Sequence, residues 1–257
     1  TILSKNTAVH YKGVKINIID TPGHADFGGE VERVLKMVNG VVLVVDAFEG
    51  PMPQTKFVTK KALELNLPFI VCVNKIDRPE ARPNEVVDEV LELLLDLDAN
   101  DKQLECPFIF ASAREGFAKY KLEDKSDNMI PLFETIINHI PAPEGDAEAP
   151  LQLLISTIDY NEYVGRIGVG KIDNGTIKVN QEVLLVNHHD ESKHQRVKVT
   201  KLYEFNGLNK VEVNEAKMGS IVAVSGITDL HIGDTLCNVD SPAPIPFQKI
   251  SEPTIAM

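Results

Sequence analysis

The pattern of apolar residues changes once along the chain, near residue 140, and this change constrains the fold more than any other feature. Before it, apolar runs typical of buried strands alternate with stretches of helical periodicity. Such alternation predicts a mostly parallel sheet covered by helices on both faces. After it, short β-branched runs are separated by turn residues. We therefore expect an α/β domain followed by an antiparallel β-barrel.

The same pattern predicts the domain boundaries. We expect the α/β domain over 1–140, a linker over 141–150, the barrel over 151–241, and a second linker with the start of a third domain over 242–257. Residues 141–150 are rich in Pro and acidic residues and have almost nothing to bury. That composition is typical of an extended linker.

Periodicity also predicts the individual elements. In the first domain we expect strands at 7–12, 14–20, 41–46, 69–74 and 107–111, and helices at 27–38, 54–66, 84–97 and 130–139. In the barrel we expect strands at 151–158, 165–172, 182–187, 196–203, 220–225 and 234–237. Asp173-Asn174-Gly175 predicts a hairpin turn.

A short polar motif follows the strand-like run at 69–73. Asn74, Lys75, Ile76 and Asp77 read N-K-x-D. A carboxylate such as that of Asp77 can accept hydrogen bonds from the N1 hydrogen and the 2-amino group of guanine, an edge that adenine does not offer. The motif therefore predicts a guanine-specific pocket.

A second motif, Asp20-Thr-Pro-Gly-His24, follows the run at 14–19. We interpret it as the part of a nucleotide switch that faces the terminal phosphate. A nucleotide-binding α/β domain also carries G-x-x-x-x-G-K-[ST] upstream, on the turn between its first strand and first helix. The sequence contains no such phosphate loop. We therefore expect a fragment that lacks its first strand and its phosphate loop.

Composition narrows the class of protein. The chain has 257 residues, of which 43% are hydrophobic and 25% charged, and no apolar stretch approaches the length needed to span a bilayer. We expect a cytoplasmic protein with neither a membrane nor DNA as a partner. Cys72, Cys106 and Cys237 lack C-x-x-C spacing, so we expect them to serve packing rather than a disulfide framework or a zinc site.

Together, these motifs resemble those of the translational GTPases related to elongation factors Tu and G. The stretches 46–55, 74–83 and 159–165 are similar to the TypA/BipA subfamily of ribosome-binding GTPases. The resemblance covers essentially the whole chain. It implies an α/β domain of the phosphate-loop GTPase type that hydrolyses GTP, with GTP or GDP and Mg²⁺ bound in the complete protein and with ribosomal RNA and proteins as partners. Without its phosphate loop, we expect this chain by itself to bind neither nucleotide nor Mg²⁺ and to be inactive.

The resemblance also implies roles on the phosphate side of the site. Thr1 would ligate Mg²⁺ through its hydroxyl, and Asp20 would hold the Mg²⁺ shell through water. Gly23 would place a backbone amide on the γ-phosphate, because no Cβ blocks the approach. His24 would orient the attacking water.

On the base side, the resemblance implies that Asn74 braces the pocket and contacts the base. The stem of Lys75 would lie over the purine face. Ser112 and Ala113 would form the next turn of the pocket, where the amide of Ala113 would donate to guanine O6.

The formal net charge of −12 opposes RNA binding, since proteins that bind RNA phosphates present Lys and Arg. Residues 151–250, however, hold 10 Lys and Arg against 12 Asp and Glu. In that segment Lys193, Arg196, Lys198 and Lys201 cluster. The sequence supports a contact with ribosomal RNA and a solvated strand face equally.

Two alternative functions stay open at this point. The chain is also compatible with another translational GTPase, of the LepA-like or ribosome-protection type. From a different class, it is compatible with a non-catalytic RNA- or protein-binding module in which the α/β half is only a scaffold.

Overall fold

A computed structural model describes residues 5–21 and 28–249, which fall into two compact units. Residues 28–142 belong to the first unit, and residues 5–21 and 143–249 belong to the second. This division differs from the predicted one at the start of the chain, because residues 5–21 group with the barrel rather than with the α/β unit.

Residues 5–20 form an antiparallel hairpin. Its strands β1 (Lys5–Tyr11) and β2 (Val14–Asp20) are joined at Lys12 and Gly13, which both have positive φ, as two-residue hairpin turns require. Ala8 exchanges both backbone hydrogen bonds with Gly207 of the barrel, at 3.2 and 2.8 Å. The prediction that these strands lie in the mostly parallel sheet is wrong for this structure, since apolar runs mark a strand without specifying its partner.

The first unit contains a four-stranded sheet. Its parallel strands are β3 (Val41–Asp46), β4 (Phe69–Asn74) and β5 (Phe108–Ser112), while β6 (Phe117–Lys119) runs antiparallel to β5 at the edge. The three predicted strands are thus confirmed within a residue at each end. The apolar run of β4 is continuous because its side chains are buried on both faces of the sheet.

Helices cover both faces of this sheet. They are α1 (Gly28–Leu35), α2 (Pro53–Glu64), α3 (Pro83–Asp96), the short α4 (Asp101–Leu104) and α5 (Ile130–His139). Residues of α1, α2 and α3 pack in one cluster with Val71 and Val73, whereas α5 packs on Ile70 and Cys72 from the other side. Over the ranges that the structure describes, no helix is both long and apolar enough to cross a membrane.

The second unit is the predicted antiparallel barrel. Its strands are β7 (Gln152–Asn161), β8 (Gly165–Asn174), β9 (Thr176–Lys178), β10 (Glu182–Asn187), β11 (Asp190–Lys198), β12 (Lys201–Asn206), β13 (Asn209–Glu212), β14 (Glu215–Lys217), β15 (Ile221–Ser225) and β16 (Asp234–Cys237). Eight of them form one sheet in the order β11-β10-β16-β7-β8-β15-β12-β13, and β9 pairs with β14. One buried cluster, which includes Leu153, Ile177, Leu185 and Leu202, fills the space between the two sheets.

Two details of the barrel differ from the prediction. The predicted strand at 196–203 is two strands, because the chain turns at Val199 and Thr200 and passes from a pairing with β10 to a pairing with β15. The predicted hairpin at Gly175 does not form, since β9 pairs with β14 rather than with β8. The amide of Gly175 donates instead to the carbonyl of Asp146, at 2.8 Å, which fixes the predicted linker onto the barrel.

The segment after β16 leaves the barrel without regular secondary structure. Residues 242–249 form neither helix nor strand, although the amide of Ile245 donates to the hydroxyl of Thr235 at 2.9 Å. The predicted start of a third domain lies largely at 250–257, outside the described residues.

Candidate functional site

The carboxyl ends of β3, β4 and β5 bring three loops to one edge of the sheet. In the parallel register Asp46 is paired with Asn74, and Asn74 with Ala111. Ligands of open α/β sheets bind beyond the carboxyl ends of the strands. All of the predicted base-side residues lie at this edge, namely Asn74, Lys75, Asp77, Ser112 and Ala113.

Asn74 joins the loop after β4 to the loop after β5. Its Oδ1 accepts a hydrogen bond from the amide of Ala113 at 2.9 Å. Because an amide N–H requires an acceptor, this contact orients the side chain and leaves its Nδ2 as a donor. The Ala113 amide, which the resemblance assigns to guanine O6, donates here to Asn74, which is close enough because Asn74 and Ala111 are neighbours in the ladder. The assignment to guanine O6 stays a prediction.

Ser112 stabilises the turn that follows β5 through hydrogen bonds to its backbone. Its side chain is fully buried, and its Oγ accepts from the amide of Glu115 at 3.3 Å. Its carbonyl accepts from the amide of Gly116 at 2.9 Å. The hydroxyl of Ser112 therefore holds the turn that leads into β6.

Lys75 is held by a residue that the sequence motifs did not single out. Its Nζ lies 2.7 Å from Oδ2 of Asp46, at the end of the neighbouring strand. The backbone of Lys75 has a φ of 67°, an uncommon conformation for a side chain with a Cβ. Such conformations persist only where surrounding contacts enforce them.

Asp46 is ionised under all ordinary conditions. Burial alone would raise the pKa of this carboxyl, but hydrogen bonds from the Lys75 ammonium and from the amides of Phe48 and Glu49, together with the Lys75 charge, lower the pKa to about 2. The two amides bind Oδ1 at 2.8 and 3.2 Å. The pair with Lys75 is therefore charged on both sides. The sequence shows that Asp46, like Asn74, ends an apolar strand run, but it does not indicate that Asp46 pairs with Lys75.

Asp77 lies in the turn that follows Lys75. It is half-buried, and within residues 5–21 and 28–249 its carboxylate makes neither a hydrogen bond nor an ion pair. An acidic side chain with both oxygens available can accept two donors from one ligand edge. This is the arrangement that the base-recognition prediction requires.

The phosphate side of the predicted site is described only in part. Asp20 is the last residue of β2 and is exposed, in the second unit. Thr1, Gly23 and His24 lie outside the described residues. Their predicted roles remain predictions.

The family resemblance implies Mg²⁺ on the phosphate side, where Asp20 is the predicted ligand that lies among the described residues. Across the described ranges, no three His, Cys, Asp or Glu side chains are grouped to hold a metal ion. Mg²⁺ usually keeps several waters and takes one or two carboxylates plus substrate phosphates. An exposed strand-end carboxylate such as Asp20 fits that mode of binding.

The basic cluster on the barrel separates into two groups. The Nζ of Lys193 lies 2.8 Å from Oδ2 of Asp234, a fully buried carboxylate. Arg196 and Lys201 make exposed ion pairs with Glu182 and Glu212. Lys193 therefore has a structural partner. It also lies on the strand face opposite to Arg196, because positions 193 and 196 of a strand face opposite sides.

The exposed members of the cluster are Arg196, Lys198 and Lys201. The ion pairs of Arg196 and Lys201 join the partner atoms at 3.2 and 3.3 Å. Lys198 is exposed at the end of β11 and makes no ion pair with any residue that the structure describes.

A parallel sheet with an N-K-x-D loop at its carboxyl edge, linked to an antiparallel barrel, defines the class of translational GTP-binding proteins. Residues 1–142 match the family model of the elongation factor Tu GTP binding domain, and residues 165–237 match elongation factor Tu domain 2. The chain belongs to this family.

Curated relatives confirm the resemblance to the TypA/BipA subfamily. Over all 257 residues the chain is 57% identical to the large ribosomal subunit assembly factor BipA of Bacillus subtilis (strain 168) and 55% identical to that of Synechocystis sp.. The BipA of Salmonella typhimurium is 50% identical over the same length. The chain spans 42%, 43% and 42% of these three proteins.

A solved structure confirms the predicted fold class. Translation elongation factor SelB from Methanococcus maripaludis, in complex with the GTP analogue GppNHp, superposes with a TM-score of 0.72. The match covers 94% of this chain and 50% of that chain, at 23% identity. At this identity the likeness shows the fold alone.

Proposed function

We propose that the complete protein, at the length of its BipA relatives, binds GTP and GDP and hydrolyses GTP in association with the ribosome. The observation that carries this proposal is the carboxylate of Asp77, which no residue in 5–21 or 28–249 engages, beside Asn74 and Lys75, which are held by Ala113 and Asp46. The relatives are named large ribosomal subunit assembly factors, so we propose assembly of that subunit as the task.

Base recognition depends on three side chains. Asp77 accepts from the N1 hydrogen and the 2-amino group of guanine, and the Asn74 Nδ2 remains as a donor for the purine ring. The stem of Lys75 covers one face of the base while Asp46 holds its ammonium. An adenine base would leave the charged Asp77 without its donors, and leaving a charged group unpaired is costly.

Hydrolysis depends on the phosphate side. In the proposed site His24 orients the water that attacks the γ-phosphate, and the amide of Gly23 donates to an oxygen of that phosphate. Asp20 and the hydroxyl of Thr1 would hold Mg²⁺, which would supply positive charge next to the phosphate oxygens. Water is consumed, the bond between the β- and γ-phosphate groups breaks, and GDP and inorganic phosphate are released.

The ribosomal contact is proposed to include the outer barrel surface at Arg196, Lys198 and Lys201. Exposed ion pairs contribute little to stability, so Arg196 and Lys201 can exchange their carboxylate partners for RNA phosphates at small cost. Lys193 is left out because it neutralises buried Asp234. A ribosome-associated role also supports the proposed cytoplasmic location.

Nucleotide binding and turnover on the complete protein test the proposal. We expect GDP to bind far more tightly than ADP, and ribosomes or their large subunits to stimulate GTP hydrolysis. Guanine binding without stimulated hydrolysis would favour the scaffold alternative. Equal affinity for GDP and ADP would contradict the proposed pocket.

A further inference from the structure

The carboxylate of Asp46 is fixed from two directions. Its Oδ1 accepts the amides of Phe48 and Glu49, and its Oδ2 accepts the Lys75 ammonium at 2.7 Å. The side chain is 15% exposed. A carboxylate anchored by two backbone amides has little freedom, so it can serve as a fixed point for the longer side chain of Lys75.

The loop that carries Asp46 is itself clamped. Arg82 donates through its backbone amide to the carbonyl of Ala47 and through Nε to the carbonyl of Phe48, both at 2.8 Å. Its guanidinium also pairs with Glu89 on α3. Gly50 closes the loop with a φ of 73°, where a Cβ would overlap the Glu89 carboxylate.

These contacts extend across all three loops of the site. The amide of Ala47 donates to the carbonyl of Asn74 at 2.8 Å, and the amide of Ile76 donates to the carbonyl of Ala111 at 3.2 Å. Lys75 lies between these two bonds, so the backbone on both sides of it is fixed. Its ammonium is in turn fixed by Asp46, although 43% of its side chain is exposed.

We propose that Asp46 is a positioning residue for nucleotide binding, which acts by holding Lys75 in the arrangement that the purine face requires. This inference rests on the proposed function. Asp46 does not touch the base in this account. Its effect is to restrict the rotamers of the four-carbon Lys75 stem in the free protein. Less conformational entropy is then lost when the nucleotide binds.

The test is the dissociation rate of a fluorescent GDP analogue from the complete protein. Asp46→Asn keeps an oxygen for the amides of Phe48 and Glu49 but removes the charge that holds Lys75. We expect dissociation to accelerate about tenfold, as loss of a charge-assisted contact predicts, with the association rate little changed. Asp46→Glu keeps a carboxylate and should recover part of the loss.

A neighbouring acid provides the matched control. Glu49 lies in the same loop and is exposed, and its side chain does not contact Lys75. Glu49→Gln removes one negative charge from the loop and should leave dissociation within about twofold of the wild type. Thermal melting of each variant checks that the fold is kept.

A double-mutant cycle separates positioning from general support of the fold. If Asp46 acts through Lys75, adding Asp46→Asn to Lys75→Met should change dissociation by less than about twofold. If Asp46→Asn accelerated GDP dissociation equally in the wild type and in Lys75→Met, the proposal would be overturned. A wild-type dissociation rate in the Asp46→Asn single variant would overturn it as well. A wild-type protein that fails to prefer GDP over ADP would instead contradict the proposed function itself.

Discussion

The side-chain oxygen of Asn74 accepts the amide hydrogen of Ala113 at 2.9 Å, which ties the loop of the N-K-x-D motif to the loop after β5. This bond orients the side chain of Asn74. It also engages the backbone group that the family resemblance assigned to guanine O6. Pocket geometry therefore depends on a contact between two loops that are 39 positions apart in sequence.

We predict that Asn74→Ala accelerates hydrogen exchange at the Ala113 amide. Loss of one hydrogen bond worth about 1 kcal/mol corresponds to roughly fivefold faster exchange. Asn66→Ala is the matched control, since it removes an exposed hydrogen bond to Asn100 in the same unit. Unchanged exchange at Ala113 in Asn74→Ala would show that this amide is protected by something else.

A second prediction concerns the barrel, where Lys193 pairs with buried Asp234. Lys193→Met leaves that carboxylate buried without its charged partner, and we expect a loss of about 3–5 kcal/mol in the free energy of unfolding. Arg196→Met removes only an exposed pair, and it should cost less than about 1 kcal/mol. Urea unfolding of the barrel measures both. Equal small losses would contradict the structural role given to Lys193.

The third prediction concerns acid stability. The pKa of Asp46 lies near 2, below its ordinary value of 3.8, so its stabilising contribution is complete above that ordinary value and is lost as pH falls toward 2. Between pH 6 and pH 3 the wild type should lose about 1 kcal/mol more unfolding free energy than Asp46→Asn. Urea unfolding at the two pH values tests this, with Glu49→Gln expected to follow the wild type. If the wild type and Asp46→Asn lost the same unfolding free energy between pH 6 and pH 3, Asp46 would not have the lowered pKa that its contact with Lys75 implies.

Strands with continuous apolar runs were predictable from sequence. Residues 41–45 and 69–73 are all apolar, and each run is followed by a polar residue, Asp46 or Asn74, at the carboxyl edge of the sheet. The loop residues Asn74, Lys75 and Asp77 therefore lie where the motif predicts. Local sequence was sufficient because it determines both the end of the strand and the first residues of the loop.

Contacts between distant segments were not predictable in this way. Nothing local indicates that Asp46 holds Lys75, or that Ala8 pairs with Gly207. The sequence leaves Lys193 equally open to RNA and to solvent, because its buried partner Asp234 lies 41 positions away in sequence. The turn residues Asp173-Asn174-Gly175 predict a hairpin, but β9 pairs with β14. Turn residues such as Gly175 do not specify which strand the chain pairs with next.

The fourth prediction concerns the chemical step. In the complete protein, His24→Ala should lower ribosome-stimulated GTP turnover by about a hundredfold or more, because water positioning matters mainly in the transition state. Affinity for GDP should stay within a few-fold of the wild type. Turnover assays and equilibrium binding measure the two effects. Equal losses in binding and turnover would indicate a structural histidine.

The most direct test of the account is the base selectivity of Asp77→Asn in the complete protein, measured as equilibrium affinities for GDP and xanthosine diphosphate. Xanthine replaces the 2-amino donor of guanine with a carbonyl acceptor, which the amide of Asn can satisfy and a carboxylate cannot. Asp88→Asn, an exposed change on α3, should keep wild-type selectivity. We predict that Asp77→Asn weakens GDP binding and strengthens xanthosine diphosphate binding, each by at least about tenfold. A variant that retains the preference for GDP would contradict the assignment of Asp77 to the guanine edge.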